Sequence, residues 1–391
     1  IRIGWNEQDL LSDINPIFVI KNYSATQTSE VRDEEFKNED TVQRYVSEYT
    51  SVVAEQGFLN AKQNYFVLVG MKANLYKCFL PLSFRIVNND GEAAFLHPDG
   101  IYDDPKGKVL RKTIYPRLRY RFQFINELKL FREVDHHTKY SINIYSNGEG
   151  NEVSFDTIVN LFVPETIDEC YASDTNCAEI PGLKNEKGEW NKKGSPSRIV
   201  HVDRNMLDLF ASLFDDEDTS GNEAKLPTIH AHELMDVLKL MASQPHTLGN
   251  YNKPMCATIM LDETKSQRIG LIDRNIHFPD ETIDSIYCGA QIGILNPLFQ
   301  GVRRVYNNNS DYDRVDLTQI DENFMIRVKY SPNLQKYDAQ VPKTDWNSYH
   351  MNYRLCNREM IGTTSERSLT AAILPPGVGH VITVFGWAVQ D

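Results

Sequence analysis

Two groups of histidines have side chains that could bind a metal ion. They are the pair His136–His137 and the motif His230-x-His232-Glu233. Imidazole and carboxylate groups are common zinc ligands, but side chains one or two positions apart on a helix do not face each other. Since no further histidine, cysteine or carboxylate group in the sequence completes a ligand set, we expect no metal site. The default interpretation is that these histidines are solvated or belong to the core.

A second group of residues superficially resembles the metal-binding carboxylates and lysine of a restriction nuclease. These residues are Pro98-Asp99, followed by Asp104-x-Lys106. The separation is too short for residues on the two adjacent strands that such a site needs. Asp104 is better explained as a helix cap, because Pro105 follows it at the first helical position. We therefore do not expect a nuclease site here.

The composition is that of a globular protein with more than one domain. The chain has 391 residues, of which 41% are hydrophobic and 24% charged, enough for two domains with sizeable cores. It has no apolar run of 18 residues and no signal-peptide pattern at its start, so we expect a cytoplasmic protein without a membrane partner. The six cysteines form no CxxC pair, which favours reduced thiols over a disulfide framework or a structural zinc site.

The charge of the chain is segregated. A formal net charge of −13 weighs against nucleic-acid binding, because Lys and Arg must neutralise phosphates. Segments 30–40 and 215–218 are acid-rich, however, whereas segment 105–121 is basic and has no acidic residue. Its basic residues are Lys106, Lys108, Arg111, Lys112, Arg117, Arg119 and Arg121. This segment is either a local DNA-binding face or an ordinary solvated amphipathic helix.

Hydrophobic periodicity and turn residues predict a mixture of helices and strands. The stretch 74–145 predicts a helix, a glycine turn, a buried strand, a basic helix that ends at Pro116, and two more strands. Loop-forming residues from Gly148 onward suggest a domain boundary, and the chain after Met255 has the pattern of short strands. The other expected helices are 42–59, 204–214 after the cap Asp203, and 229–242 after Thr228; the expected strands are 93–97, 121–131 and 139–146.

Several segments, in this order, resemble one enzyme family. The first segment begins with NLY and continues through an apolar helix and a glycine turn to a strand that ends in HPDG. The next segments are FLHPDGIYDDPKG, which overlaps this strand, YPRLRYRFQFINELKLF and EVDHHTKYSINIYS. Further on come IDRNIHFPDETIDSIYCGAQIGILNPL, YDRVDLTQI, MNYRLCNREM and TTSERSLTAAILPPGVGHVITV. Together they resemble the adenine-specific DNA methyltransferases of bacterial type IIG restriction-modification enzymes and of related phage-defence systems.

The resemblance implies an α/β fold in two parts. Residues 1–147 are expected to form the C-terminal part of a Rossmann-like methyltransferase catalytic domain. Residues 148–391 are expected to form a mixed α+β, strand-rich target recognition domain, which determines DNA specificity. The implied reaction is methyl transfer from S-adenosylmethionine to adenine N6 in a specific sequence of double-stranded DNA.

The catalytic loop of this family is an Asn-Pro-Pro-aromatic motif, and two segments only approach it. Asn15-Pro16-Ile17-Phe18 and Asn296-Pro297-Leu298-Phe299 both lack the second proline, which helps to fix the backbone. A glycine-rich cofactor loop is also absent from the sequence. We therefore expect no catalytic residue in this chain, S-adenosylmethionine bound mainly by upstream sequence, and inactivity without the N-terminal half of the enzyme.

The resemblance also implies functional residues. Phe131 lies where an aromatic residue is expected to pack against the flipped target base, with His136 and His137 in the following loop; the alternative is that Phe131 is a core residue. Arg367 is expected to be structural, beside a buried strand. The expected DNA-binding residues are Lys106, Lys108, Arg111, Lys112, Arg117, Arg303, Arg304, Arg327, Lys329, Arg354 and Arg358.

Two other functions agree with the same residues. The chain is alternatively a non-catalytic DNA-binding specificity module that works with a separate catalytic subunit. A fusion of nuclease and methyltransferase is a third hypothesis, and it requires a nuclease domain upstream. The sequence upstream of Ile1 distinguishes the methyltransferase from the specificity module. An in-frame Asn-Pro-Pro-aromatic motif there supports the enzyme, and a start codon there supports the module.

Overall fold

The protein has a mixed α/β structure with several sheets. The computed structural model describes residues 5–21, 25–148, 152–172, 180–247, 251, 253–308, 310–360 and 369–390. Two compact units divide the chain, Ile1–Pro245 and His246–Asp391. Among the helices of these described segments, none is long and apolar enough to span a membrane.

Helices are concentrated in the first unit and strands in the second. The helices are α1 (Glu7–Ile14), α2 (Ile17–Ile20), α3 (Ala25–Glu35), α4 (Glu39–Asn60), α5 (Leu75–Ile86), α6 (Lys108–Ile114), α7 (Glu165–Ala172), α8 (Arg204–Phe214), α9 (Leu234–Ala242), α10 (Glu263–Arg268) and α11 (Leu334–Gln340). The strands are β1 (Glu92–Pro98), β2 (Leu118–Ile125), β3 (Lys139–Ser146), β4 (Ser154–Leu161), β5 (Val200–Asp203), β6 (Met255–Thr258), β7 (Ile272–His277), β8 (Ile286–Tyr287), β9 (Gln300–Val302), β10 (Tyr312–Arg314), β11 (Val328–Pro332), β12 (Arg354–Arg358), β13 (Ala371–Leu374), β14 (Gly379–His380) and β15 (Val384–Val389).

The first unit is built on a five-stranded sheet with the order β1-β3-β2-β4-β5. Strand β3 is antiparallel to both β1 and β2, so β1 and β2 run parallel to each other, and α6 lies between them in the chain. Strand β4 is parallel to β2, and β5 is antiparallel to β4. The order of elements expected for 74–145 is confirmed, but the expected burial of β1 is wrong, because most of its residues are exposed or only partly buried.

The two faces of this sheet are covered to different extents. On β3, the side chains of Ser141, Asn143 and Tyr145 are fully buried, whereas Ile142 and Ile144 on the opposite face are only partly buried. The buried face accommodates its polar groups by hydrogen bonding. The Tyr102 hydroxyl donates to Asn143 Oδ1 over 2.6 Å, and buried polar groups need such partners.

A buried ion pair lies on the same covered face. Arg121, on β2, is fully buried and contacts Asp99 Oδ2 at 2.6 Å. Gln123 also donates to this carboxylate, over 2.7 Å. Burial acts to raise the pKa of Asp99, but the attraction of Arg121 and the hydrogen bonds outweigh it, so the pKa is lowered. Arg121 therefore has a structural role, in a buried ion pair on the covered face of the sheet.

The compact first unit extends well past the expected boundary at residue 147. Strands β4 and β5 belong to the same sheet as β1–β3. Leu118 shares one hydrophobic cluster with Val200 and Phe210, which come later in the chain. The described residues between Glu152 and Pro245 belong to this unit, so the expected boundary does not coincide with the division at Pro245. The functional assignments of the two expected domains remain predictions.

Several helix boundaries follow from local signals, and others do not. The cap at Asp203 is confirmed, because its Oδ1 accepts from the backbone N–H of Met206 over 2.8 Å. The helix expected after Thr228 begins only at Leu234. Helix α6 is capped by Gly107, whereas Asp104 accepts from the N–H of Lys106 in the preceding turn. The expected caps at Thr228 and Asp104 are therefore wrong.

The described residues of the second unit form two four-stranded sheets and one two-stranded sheet. Their orders are β14-β8-β11-β7, β13-β12-β15-β6 and β10-β9. Two clusters of buried hydrophobic side chains form its core. One includes Met260 and Ala388, and the other includes Tyr287 and Val384. The expected pattern of short strands is confirmed.

Candidate nucleic-acid interface

A loop at 126–138 joins β2 to β3 and carries three of the predicted site residues. Strand β2 ends at Ile125, earlier than expected, because the next residue begins a turn. The fully buried Asn126 holds the loop: its Nδ2 donates to the carbonyls of Phe131 and Val134 over 2.8 and 2.9 Å, and its Oδ1 accepts from the N–H of Phe131 over 3.0 Å. These bonds fix the loop backbone on the sheet.

Phe131 lies on this loop with its ring partly in solvent. The residue is 41% exposed, and its ring contacts Tyr140 edge to face at a centroid distance of 5.0 Å. It is therefore anchored by one aromatic neighbour and is not a core phenylalanine. The exposed part of the ring is available for stacking, and its contact with a target base remains a prediction.

The two loop histidines lie together with a carboxylate that the sequence did not indicate. His136 Nδ1 is 3.1 Å from Glu127 Oε2, and the rings of His136 and His137 are 3.7 Å apart between centroids. Three ligand atoms, one each from Glu127, His136 and His137, lie within 4.8 Å of one another, and such a group could hold a metal ion. Glu127 is nine residues away in the chain, and the turn after β2 brings it close. The sequence pattern does not indicate this proximity of Glu127, and the expectation of no metal site stays a prediction.

The other histidine motif does not converge in this way. His230 Nε2 is 2.7 Å from the carbonyl of Pro181, and burial lowers the pKa of His230. His232 contacts Glu233 at 3.4 Å. His230 is thus bound by the backbone of a neighbouring loop.

The lysines of the basic segment are partly neutralised. Lys108 contacts Asp216 at 3.4 Å, and Lys112 contacts Glu223 at 3.4 Å. Lys106 is exposed. The acid-rich segment thus lies against the basic helix α6, which weakens the interpretation of this helix as a DNA-binding face.

Two arginines of this segment are structural, and their predicted contact with DNA is wrong. Arg111 is fully buried and donates to the carbonyls of Glu223 and Asp104 over 2.9 and 2.7 Å. Arg117 is 9% exposed, donates to the carbonyl of Thr113 over 2.8 Å, and covers the ring of Phe84 at 5.2 Å. Charge counting could not reveal that these guanidinium groups satisfy buried carbonyls.

In the second unit, the arginine pair after β9 is accessible. Arg303 contacts Asp313 at 2.9 Å and Asp311 at 3.8 Å. Arg304 is exposed, and no ion pair to it occurs in the described part of the chain. Arg304 is therefore the freer of the two for an anionic partner.

Arg327 and Lys329 are anchored on aromatic rings. The guanidinium of Arg327 lies 4.4 Å from the ring centroid of Phe278 and donates to the carbonyl of Val302 over 3.2 Å. The Lys329 ammonium lies 5.0 Å from the ring of Tyr306 and 3.7 Å from Glu263. Arg327 is partly buried, and the Lys329 side chain is only 12% exposed. These contacts fix the direction of both cations.

The remaining two predicted arginines differ in burial. Arg354 is fully buried and donates to the carbonyls of Asn352 and Pro375 over 2.9 and 2.7 Å, so its predicted contact with DNA is wrong. Arg358 is half-buried and donates to the carbonyl of Ile292 over 2.7 Å. Burial lowers the pKa of Arg358.

Sequence reasoning missed two cations beside these aromatic rings. Arg274 lies 5.5 Å from the ring of Tyr306, and Arg314 lies 5.1 Å from the ring of Phe299. No short motif links them to their aromatic partners, which lie on other segments. We define the cationic-aromatic surface as Arg274, Arg314, Arg327 and Lys329 with Phe278, Phe299 and Tyr306. Part of it lines a depression of about 280 Å³, and such cation-aromatic groups can bind phosphates and stack on bases.

The two incomplete Asn-Pro motifs have local roles. Asn15 Oδ1 accepts from the N–H of Ile17 over 3.1 Å, and its Nδ2 donates to Glu35 over 2.7 Å. Asn296 Oδ1 accepts from the N–H of Leu298 over 2.9 Å. Both amides therefore stabilise turns.

The carboxylates that resembled a nuclease site form ion pairs with neighbouring basic side chains. Asp99 pairs with Arg121 as described above, and Asp104 Oδ2 is 3.1 Å from Lys77 Nζ. Arg367 and part of the segment TTSERSL lie outside the described residues.

Comparisons with known proteins give weak structural neighbours. No family model matches the chain, and no curated protein matches it. The type IIG restriction endonuclease BpuSI is 11% identical, covering 83% of this chain and 38% of that protein, with a TM-score of 0.28. The ATP-dependent type ISP restriction-modification enzyme LlaBIII, bound to DNA, is 12% identical, covering 80% of this chain and 20% of that protein, with a TM-score of 0.22. The chain thus spans well under half the length of either enzyme, and these scores do not establish a shared fold.

Proposed function

We propose that this chain is part of a site-specific DNA adenine-N6 methyltransferase of a restriction-modification or phage-defence system. S-adenosylmethionine is the methyl donor and double-stranded DNA the substrate. The first unit supplies part of the target-base pocket, and the second unit recognises the DNA sequence. The ordered series of motifs across residues 70–391 supports this proposal by resemblance.

The observation that carries the proposal is the connection of the first sheet. Strands β1 and β2 run parallel and are joined through α6, with β3 inserted antiparallel between them. Parallel strands joined through a helix are the repeating unit of Rossmann-like folds. A sheet of this type agrees with the downstream part of a methyltransferase domain.

An incomplete sheet supports the proposed N-terminal partner segment. Strand β1 is at the end of the sheet order, so its second edge has no neighbouring strand among the described residues. Leu96 on β1 and Tyr120 on β2 are 53% and 39% exposed, on the face that also carries Ile142 and Ile144. Exposed apolar side chains that share one sheet face form a surface that another segment can cover. The upstream half of the enzyme would cover this face and bring the cofactor and catalytic loops.

DNA recognition is proposed for the second unit because exposed arginines lie there together with cations that are held on aromatic rings. Arg327 and Lys329 have fixed directions, and Arg303 and Arg304 extend the positive charge into solvent. Arginine bonded to guanine edges is a common specific contact in the major groove. Lys106 and the partly neutralised Lys108 and Lys112 are proposed only as secondary phosphate contacts.

The proposal is tested by sequencing with base-modification detection in a host that carries the full-length gene. We expect N6-methyladenine in one sequence context and none in a host without the gene. A host that produces the full-length protein but has no N6-methyladenine in any context would overturn the proposal.

Phe131→Ala tests the contribution of this chain to the base pocket. Because stacking on an aromatic side chain is worth about 1–3 kcal/mol per base, we expect methylation by the full-length enzyme to slow by about tenfold or more. The matched control is Leu130→Ala, since Leu130 is similarly exposed, at 46%, in the same loop. Equal rates for both variants would remove Phe131 from the pocket.

A non-catalytic specificity module is the second candidate. The turn-forming roles of Asn15 and Asn296 agree with this candidate as they do with the first, because neither function requires a catalytic amide in this chain. Such a module would bind DNA through the same cationic-aromatic surface. Methylation by a separately encoded subunit, obtained only when this chain is added, would support the module.

A further inference from the structure

We propose that Glu127, His136 and His137 form a binding site for a zinc ion. The site lies on the loop between β2 and β3, and its test by direct metal binding does not depend on the proposed methyltransferase function.

The positions of the ligand atoms are close to those that one ion requires. Three ligand atoms, one from each residue, lie within 4.8 Å of one another. Ligands at about 2.1 Å from a tetrahedral zinc ion are about 3.4 Å apart. The difference is small enough for rotation of the two histidine side chains, which are 42% and 71% exposed.

The chemistry of the ligands selects the metal. Two imidazole nitrogens and one carboxylate oxygen are typical zinc ligands, and a set of three protein ligands leaves one position for water. Magnesium and calcium prefer oxygen ligands throughout. The set in this loop therefore favours zinc over the hard divalent cations.

A neighbouring carboxylate is placed to orient one of the ligands. Asp135 Oδ1 is 3.3 Å from His137 Nδ1, so His137 can donate Nδ1–H to it and leave Nε2 for the ion. Histidine ligands commonly donate their second nitrogen to a carboxylate in this manner. Asp135 also accepts from the N–H of His137 over 2.9 Å, which holds the two residues together.

The loop that presents the ligands is fixed before any ion arrives. Asn126 is adjacent to Glu127 and, through its bonds to Phe131 and Val134, holds the loop from inside. Glu127 is only 15% exposed in its side chain, so the carboxylate is positioned while the histidines remain open to solvent. A bound ion would thus order two exposed side chains on an already rigid loop.

Isothermal titration calorimetry with zinc chloride tests the site. The full chain is first treated with a chelator and then dialysed. We expect one zinc ion per chain, at least tenfold weaker binding for His136→Ala, His137→Ala and Glu127→Gln, and no detectable heat with magnesium chloride. With cobalt chloride, we expect a visible absorption band that is lost in His137→Ala.

The matched control is His201→Ala. His201 is an exposed histidine of the same unit that also contacts a carboxylate, with Nδ1 2.8 Å from Asp156. Its substitution should leave zinc binding unchanged, and circular dichroism should show that every variant is folded. Zinc binding that persists in all three ligand variants, or that falls equally in His201→Ala, would overturn the proposal.

Discussion

His380 is a buried histidine in the second unit whose environment opposes protonation. It is fully buried, and its Nε2 lies 3.0 Å from the Tyr349 hydroxyl. The guanidinium of Arg354 lies 5.3 Å from the same tyrosine ring. Burial, assisted by the positive charge of Arg354, lowers the pKa of His380 to about 3. The folded protein therefore keeps this imidazole neutral at moderately acidic pH.

This lowered pKa predicts that acid destabilises the protein. An unfolded histidine has a pKa of about 6.5, so between pH 6.5 and pH 3 the unfolded state binds the extra proton. The contribution of His380 to the free energy of unfolding is fully present above pH 6.5 and decreases as the pH falls toward 3. Urea denaturation at pH 7.5, 6 and 5 should show a loss of about 1 kcal/mol per pH unit below pH 6.

Two variants isolate the contribution of His380. His380→Gln should make this pH dependence shallower, and the remaining slope should come from His97, His230 and His350, whose pKa values burial also lowers. The variant should be less stable than the unaltered protein at neutral pH. His201→Asn, at an exposed position, should leave it unchanged. The same slope in His380→Gln and in the unaltered protein would show that other groups cause the acid sensitivity.

Residue types were readable from the sequence, but their exposure was not. Arg111 and Arg354 looked like DNA-binding residues and instead bond to buried backbone carbonyls. The proximity of Glu127 to His136 could not be identified from the sequence, because the two residues are nine positions apart on the loop between β2 and β3. The sequence does not distinguish a core role from a surface role for Phe131, and only the folded loop shows that the residue is partly exposed. Burial and convergence depend on tertiary packing, which local patterns do not report.

At the scale of elements, local signals succeeded where local bonds determine the structure. The cap of α8 at Asp203 is a bond between residues three positions apart, so the sequence indicates it directly. The start of α9 at Leu234 follows a long-range bond from the N–H of His232 to the carbonyl of Ser197. No pattern near Thr228 could have indicated that bond.

Asn126→Ala is expected to loosen the loop between β2 and β3. The substitution removes the three hydrogen bonds to Phe131 and Val134 at a fully buried site. Leaving buried groups without partners costs about 1–3 kcal/mol. Urea denaturation should show a loss of this size, and the amides of 127–138 should exchange hydrogen faster.

Asn185→Ala is the matched control for this change. Asn185 also holds a turn through its side chain, accepting from the N–H groups of Lys187 and Glu189 over 3.0 and 2.9 Å, but at an exposed position where water replaces the lost bonds. Its cost should be smaller by about 1 kcal/mol. Equal costs for the two variants would contradict the assigned role of Asn126.

At the scale of the whole molecule, composition identified the polar loops after residue 147 but not the division of the chain. A polar stretch marks solvent exposure, and a long insertion within one unit has the same composition as a linker between two. The pairing of β2 with β4 and the shared hydrophobic cluster place residues on both sides of 147 in one unit. Only long-range contacts distinguish these cases.

This division predicts which fragments fold by themselves. Residues 246–391 contain both hydrophobic clusters and all sheets of the second unit, so this fragment should show a cooperative urea transition and dispersed amide resonances. A fragment of residues 1–245 should also fold. The matched fragment 1–147 lacks β4, β5 and α8, which leaves β2 without its parallel neighbour and exposes Leu118 of the shared cluster; we expect it to aggregate. Cooperative folding of both 1–147 and 148–391 would instead place the boundary where the composition suggested it.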